Sequence, residues 1–114
     1  MIEFDPKAIS VLSDDIQIKI LEMWTSSSAL NMAGLSKSLR LNLWTEVAEV
    51  SHSIKGASIQ IGAKTVSLIA AQLEKEAKFK KSVSEAELLV EKLHEGVMET
   101  TKKIDHLIAE KRKK

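Results

Sequence analysis

Apolar residues recur along most of this chain at steps of three and four, the period of a helix with one buried face. Between Ile9 and Leu39 the stripe reads Ile9, Leu12, Ile16, Ile20, Met23, Leu30 and Ala33, which predicts one or two helices. Ser13, followed by Asp14 and Asp15, is a start signal, because a short hydroxyl side chain accepts from exposed amides and carboxylates suit the positive helix end. The run Thr25-Ser26-Ser27-Ser28 weakens the pattern and predicts a kink.

Around Arg40-Leu41-Asn42 the stripe loses phase, and Asn42 is placed to cap a second segment. That segment runs through Leu43, Val47, Val50, Ile54, Ala57 and Ile61, in steps of 4, 3, 4, 3 and 4. Gly62 interrupts it. A further stripe follows at Val66, Ile69, Ala70, Leu73 and Ala77, and the polar stretch Lys78 to Ser84 reads as a loop. Ser82 or Ser84 can then cap a last helix with its core face at Ala86, Leu89, Val90, Leu93, Val97, Ile104 and Ile108. The basic tail Lys111-Arg112-Lys113-Lys114 suits a negative helix end and is expected to fray beyond it. The pattern predicts an all-α fold, an antiparallel four-helix bundle with a short N-terminal extension or extra helix. One domain is expected over residues 1–114, with its core at about 9–109 and a basic tail at 110–114.

Composition narrows the function classes. With one proline and four glycines, the chain lacks the turn residues of an all-β fold. Aromatics are only 4% of the residues, so the core must be aliphatic. Seventeen basic against sixteen acidic residues leave a net charge of +1, too little to draw the protein to nucleic acid or to a membrane, and neither partner is expected. Cysteine is absent, which excludes disulfides and thiolate metal sites and fits a reducing compartment. His94 and His106 stand twelve residues apart with no carboxylate pair at close spacing, so no metal site is expected. No stretch has the length of a membrane span and no basic-then-apolar leader opens the chain; a cytoplasmic, monomeric protein is expected.

On a helical wheel of the segment Leu43 to Ile61, His52 falls at roughly the pole opposite the apolar stripe, at about 100° per residue. Ala48, Lys55, Gly56 and Ile59 surround it. Each has a use if the imidazole carries a phosphoryl group. Neutral histidine has a free ring lone pair near pH 7, since its ordinary pKa is about 6.5. Lys55, one turn on, can offset phosphoryl charge, and Gly56 leaves space beside the ring where a β-carbon would obstruct. Glycine inside a helix costs about 0.5–1 kcal/mol relative to alanine, so its presence calls for a reason. Ile59 is awkward on a free surface and useful as a docking contact.

The stretch His52-Ser53-Ile54-Lys55-Gly56-Ala57-Ser58, with Gly62-Ala63 and Leu73-Glu74 beyond it, resembles the histidine-phosphotransfer (HPt) domain motif. In that motif a histidine is followed by two residues, Lys-Gly, a small residue, and a second glycine ten residues after the histidine. The resemblance covers about Leu39 to Lys78; the flanking segments agree only in apolar periodicity. It implies that His52 takes a phosphoryl group through Nε2 from one receiver-domain aspartate and yields it to another, with Lys55 stabilising phosphohistidine and Gly56 giving clearance. By the same resemblance Lys78 stands where a further basic residue approaches the phosphate in some members. Leu43 departs from the pattern, occupying a position that is often acidic. Partners would be receiver domains of hybrid histidine kinases and response regulators, with Mg2+ on the receiver and no cofactor on this chain. Ala48, Ile59 and Leu68 would form the docking face.

No glycine-rich nucleotide loop occurs, so the expectation is a phosphocarrier without kinase activity of its own. A helical adaptor binding a receiver or another partner through the same face, without phosphorylation, is the alternative. Taken singly, Lys55 is a solvated charge, Gly56 a close helix crossing and Gly62 a break between helices; their registration with His52 carries the inference. Glu74 and Glu76 read as solvated carboxylates, and Trp24 and Trp44 as core or half-buried wedges.

Overall fold

The computed structural model describes residues 2–114. Four helices, α1 (Asp14–Arg40), α2 (Trp44–Gln60), α3 (Lys64–Lys75) and α4 (Val83–Arg112), pack in a closed ring, α1 on α2, α2 on α3, α3 on α4 and α4 on α1. A short N-terminal segment with a 3₁₀ turn, Pro6–Ile9, precedes them. This is the expected antiparallel four-helix bundle with an N-terminal extension. Among the described residues the only β-type pairing is an isolated bridge between Phe4 and Ala63.

The Ser13 hydroxyl caps α1, accepting from the Ile16 amide at 3.3 Å. The expected kink at Thr25–Ser28 is absent, and α1 runs unbroken. Hydroxyls there fold back onto the preceding turn, Thr25 donating to the Leu21 carbonyl at 3.0 Å and Ser27 to that of Met23 at 2.7 Å. The expected core stripe is also corrected: Leu12, Ile16, Met23 and Leu30 are exposed, while Leu21, Trp24, Met32, Leu35 and Leu39 are buried. Helix α1 carries two apolar stripes. The one that meets α2 includes Ser28 and the larger side chains, and its indole Nε1–H at Trp24 donates to the Ser58 hydroxyl of α2 at 3.1 Å.

Asn42 ends α1 instead of capping α2. It adopts the left-handed conformation at φ 56°, the Leu43 amide reaches back to the Ser38 carbonyl at 2.9 Å, and the Asn42 amide to that of Leu39 at 3.0 Å. Asparagine tolerates that conformation, and the paired bonds close the helix end. Helix α2 therefore starts at Trp44 with no side-chain cap. Its buried face is Val47, Ser51, Ile54, Ser58 and Ile61, rotated by about 40° from the stripe read in the sequence. Leu43 and Ala57 lie outside.

The turn from α2 to α3 depends on Gly62. Its φ is +77°, and a β-carbon there would lie 1.7 Å from the Asp5 carbonyl oxygen. That close approach lets the Asp5 amide donate to the Gly62 carbonyl at 2.9 Å, fixing the N-terminal segment to the turn.

Helix α3 does not give way to the loop expected over Lys78 to Ser84. It continues as a π-helical turn, Glu76–Lys80, closed by Lys81 in the left-handed conformation at φ 54°. The Lys81 amide donates to the Glu76 carbonyl at 2.7 Å. Ser82 then caps α4, accepting from the Glu85 amide at 3.4 Å, and the Glu76 carboxylate accepts the Ser82 amide at 3.1 Å. The start of the basic tail is the last turn of α4, where Lys111 lies 3.2 Å from Asp14 and Arg112 3.3 Å from Glu22, both across on α1.

Candidate functional site

His52 projects from α2 with two-thirds of its side chain exposed (67%). The rotation of the α2 core face brings it from the far pole to the flank of the bundle, within reach of α3. Its Nδ1 lies 3.1 Å from Oε2 of Glu74, a residue only 6% exposed. Two ammonium groups close on the same carboxylate: Lys55 donates to Oε1 at 2.8 Å and Lys78 to Oε2 at 2.9 Å. Glu74 is thus the centre of the site, holding one imidazole and two cations.

Burial alone would raise the pKa of this carboxyl. The hydrogen bond from Lys55 outweighs it, followed by that from Lys78 and the charge of both lysines, and the pKa falls from 4.5 to about 2. At neutral pH Glu74 is therefore an anion and can only accept. The proton of a neutral imidazole must then stand on Nδ1, which leaves the lone pair of Nε2 directed outward. The ring's tautomer and orientation are set by one buried anion.

Gly56 lies one helical turn past His52, and a β-carbon built on it would meet nothing within 4 Å. The glycine is not required by packing inside the chain. It leaves open surface beside the imidazole. Ile59 and Leu68, on α2 and α3, are 61% and 66% exposed. Ala48, expected on that face, is 8% exposed and forms the floor of a groove beside His52. Its displacement follows from the same rotation of α2.

Of the residues singled out in the sequence, the fold brings His52, Lys55 and Lys78 to one carboxylate and leaves Gly56 beside them. Glu74, read there as solvated, is the residue that sequence reasoning missed. The signal was present in its place one turn before Lys78, on a helix whose core face includes Leu73. Glu76 is likewise buried, but it serves the α4 cap. His94 and His106 stay apart from the site: His94 lines a groove between α1 and α4, and His106 pairs with Glu110 at 3.2 Å. No cluster of potential metal ligands occurs among the described residues.

The family model of the Hpt domain matches residues 19–110. The chain belongs to the Hpt domain family. Its fold is similar to that of histidine-containing phosphotransfer protein B from Pseudomonas aeruginosa, at a TM-score of 0.85 and 18% identity, covering 97% of this chain and 96% of that one. It is also similar to the HPT domain of a sensor hybrid histidine kinase from Shewanella, at a TM-score of 0.73 and 17% identity, covering 84% and 82%. No curated protein matches the sequence. In this Hpt domain no described helix is long and apolar enough to cross a membrane.

Proposed function

We propose that this Hpt domain is a phosphocarrier in which His52 Nε2 accepts a phosphoryl group from an aspartyl phosphate of one receiver domain and delivers it to the aspartate of another. The observation that carries this reading is the ionised Glu74 at 3.1 Å from Nδ1, which leaves Nε2 as an outward nucleophile on an exposed ring. In the forward step the Nε2 lone pair forms a bond to phosphorus while the bond from phosphorus to the aspartyl oxygen breaks, and aspartate leaves as the carboxylate. Nδ1 keeps its proton. The substituted ring gains positive charge, which the Glu74 carboxylate offsets, and Lys55 and Lys78 stand close enough to turn from Glu74 towards the phosphoryl oxygens. The return step is the same displacement with a new aspartate as nucleophile.

Catalysis in such an exchange comes from positioning and charge. The receiver would bring its aspartate and Mg2+, and this chain brings the oriented imidazole, two cations and the clearance at Gly56. Receiver domains of hybrid histidine kinases and response regulators are the partners this chemistry fits.

Incubation with a phosphorylated receiver domain tests the reading. The expected result is acid-labile, alkali-stable label on the wild-type protein and none on His52→Gln. Binding of the receiver without label would instead support an adaptor acting through Ile59 and Leu68.

A further inference from the structure

A groove of about 700 Å³ runs from His52 towards the start of α2, away from Ile59 and Leu68. Its floor is apolar, formed by Ala48 and Ala77, and Trp44 lines it. The cations Lys78 and Lys81 line its α3 side. Lys78 is held by Glu74, whereas Lys81 takes part in none of the ion pairs among the described residues. Among the described residues Lys81 is also one of two non-glycine residues with positive φ, placed there by the π-helical turn that prolongs α3. Such turns are uncommon and frequently accompany functional sites. The groove's carboxylates are Glu74, already neutralised by two lysines, and Glu49 on the α2 side.

From this geometry we propose that the groove is a second lobe of the partner-docking surface, one that takes an apolar side chain of the receiver domain over Ala48 and Ala77 and an acidic side chain of the same receiver against Lys81. The inference rests on the phosphocarrier reading and names the chemistry of the partner. Continuity supports it: His52 lies between the two lobes, seven residues from Thr45 on one side and from Ile59 on the other, or about 10 Å each way along α2. A receiver centred on His52 that touched Ile59 and Leu68 alone would cover only one side of the ring. An apolar floor with a cationic rim is complementary to an acidic, partly apolar surface, and such rim charges act chiefly on encounter rate and partner choice.

The test compares two phosphoryl donors on the same protein: phosphoramidate, which is too small to use a docking surface, and a phosphorylated receiver domain chosen because it labels the wild type. For Lys81→Glu the ratio of receiver-driven to phosphoramidate-driven labelling at low salt is expected to fall at least about 10-fold, and the loss to shrink as salt is raised. Lys81→Asn, which keeps a residue tolerant of the left-handed conformation, should fall between, and Glu49→Lys should raise the ratio. Lys92→Glu, the same charge change on α4, should leave it unaltered. In a Trp24→Phe background, binding of the receiver should shift Trp44 emission. A ratio for Lys81→Glu equal to wild type, with far-UV circular dichroism unchanged, overturns the second lobe while leaving the phosphocarrier reading intact. If neither phosphoramidate nor any receiver domain screened to choose the donor labels the wild type, both readings are overturned.

Discussion

Among the described residues the bundle has two large grooves, and the bigger one does not contain the proposed acceptor His52. Between α1 and α4 a groove of about 790 Å³ is lined largely by Ala29, Met32, Ala33, Val90, Val97 and Met98, with His94 on its rim. Between α2 and the end of α3 lies the smaller groove, of about 700 Å³, with His52, Glu74 and Lys78 along it. Both contain an exposed histidine. Only one of these rings has a buried anion behind it, so only one has its tautomer set and its second nitrogen directed outward. On the proposed reading, reactivity follows from a neighbour across the helix interface, and neither groove volume nor the bare presence of an imidazole decides it.

Replacing each histidine in turn should have opposite consequences. His52→Gln should remove phosphoryl uptake altogether while His94→Gln leaves it at the wild-type rate; label surviving the first change would place the acceptor elsewhere. Glu74→Gln comes next. Removing the anion behind the ring should lower the uptake rate about 10- to 100-fold, by analogy with loss of the carboxylate that orients a metal-bound histidine, with His52 still the labelled residue. A wild-type rate would show that the tautomer needs no support.

Acid titration sharpens the same point. Because the pKa of Glu74 is depressed in the folded state, to about 2, its contribution to stability is complete at neutral pH. It declines as pH falls below the ordinary value near 4.5 and is gone once pH passes below about 2. The stability gap between wild type and Glu74→Gln, measured by urea denaturation, should therefore be constant above pH 6 and narrow through that window. A gap that widened on acidification would contradict the assigned charge state.

Buried polar groups give a third contrast. Glu74 has three partners, whereas the hydroxyl of Thr100, fully buried on α4, has none. Thr100→Val, which keeps the shape and removes the orphaned hydroxyl, should raise stability by about 1 kcal/mol and leave transfer unchanged. The smallest effect is expected at Gly56. Since nothing lies within 4 Å of a β-carbon there, Gly56→Ala should stabilise the helix by about 0.5–1 kcal/mol, and Gly56→Gln should keep the fold but slow transfer from a receiver. Normal transfer by the glutamine variant would remove the clearance argument.

Read along the chain, the helical periods, the Ser13 and Ser82 caps and the His52-Lys55-Gly56 registration were local properties, and each is legible because the helix period is a local rule. Asn42 misled because asparagine serves equally as an N-cap and as a left-handed helix end, and only the return of the Leu43 amide to Ser38 distinguishes them. On α1 the wrong apolar stripe looked like the core because two were available. On α2 the serines Ser51 and Ser58 hid part of the buried face, since hydroxyls satisfied by Val47 and Trp24 pack inside as readily as small apolar groups.

Local pattern along the chain was enough to establish a bundle of amphipathic helices, with a histidine pointing away from the apolar stripe, a cation one turn away and a glycine beside both. How far α2 turns about its axis came only from packing against its neighbours. That rotation buries Ala48 and lowers His52 to the bundle's flank, where Glu74 reaches it from α3. Rotation of a helix depends on which side chains its neighbours accept, and contacts between residues 22 apart along the chain are set by packing that no local period encodes.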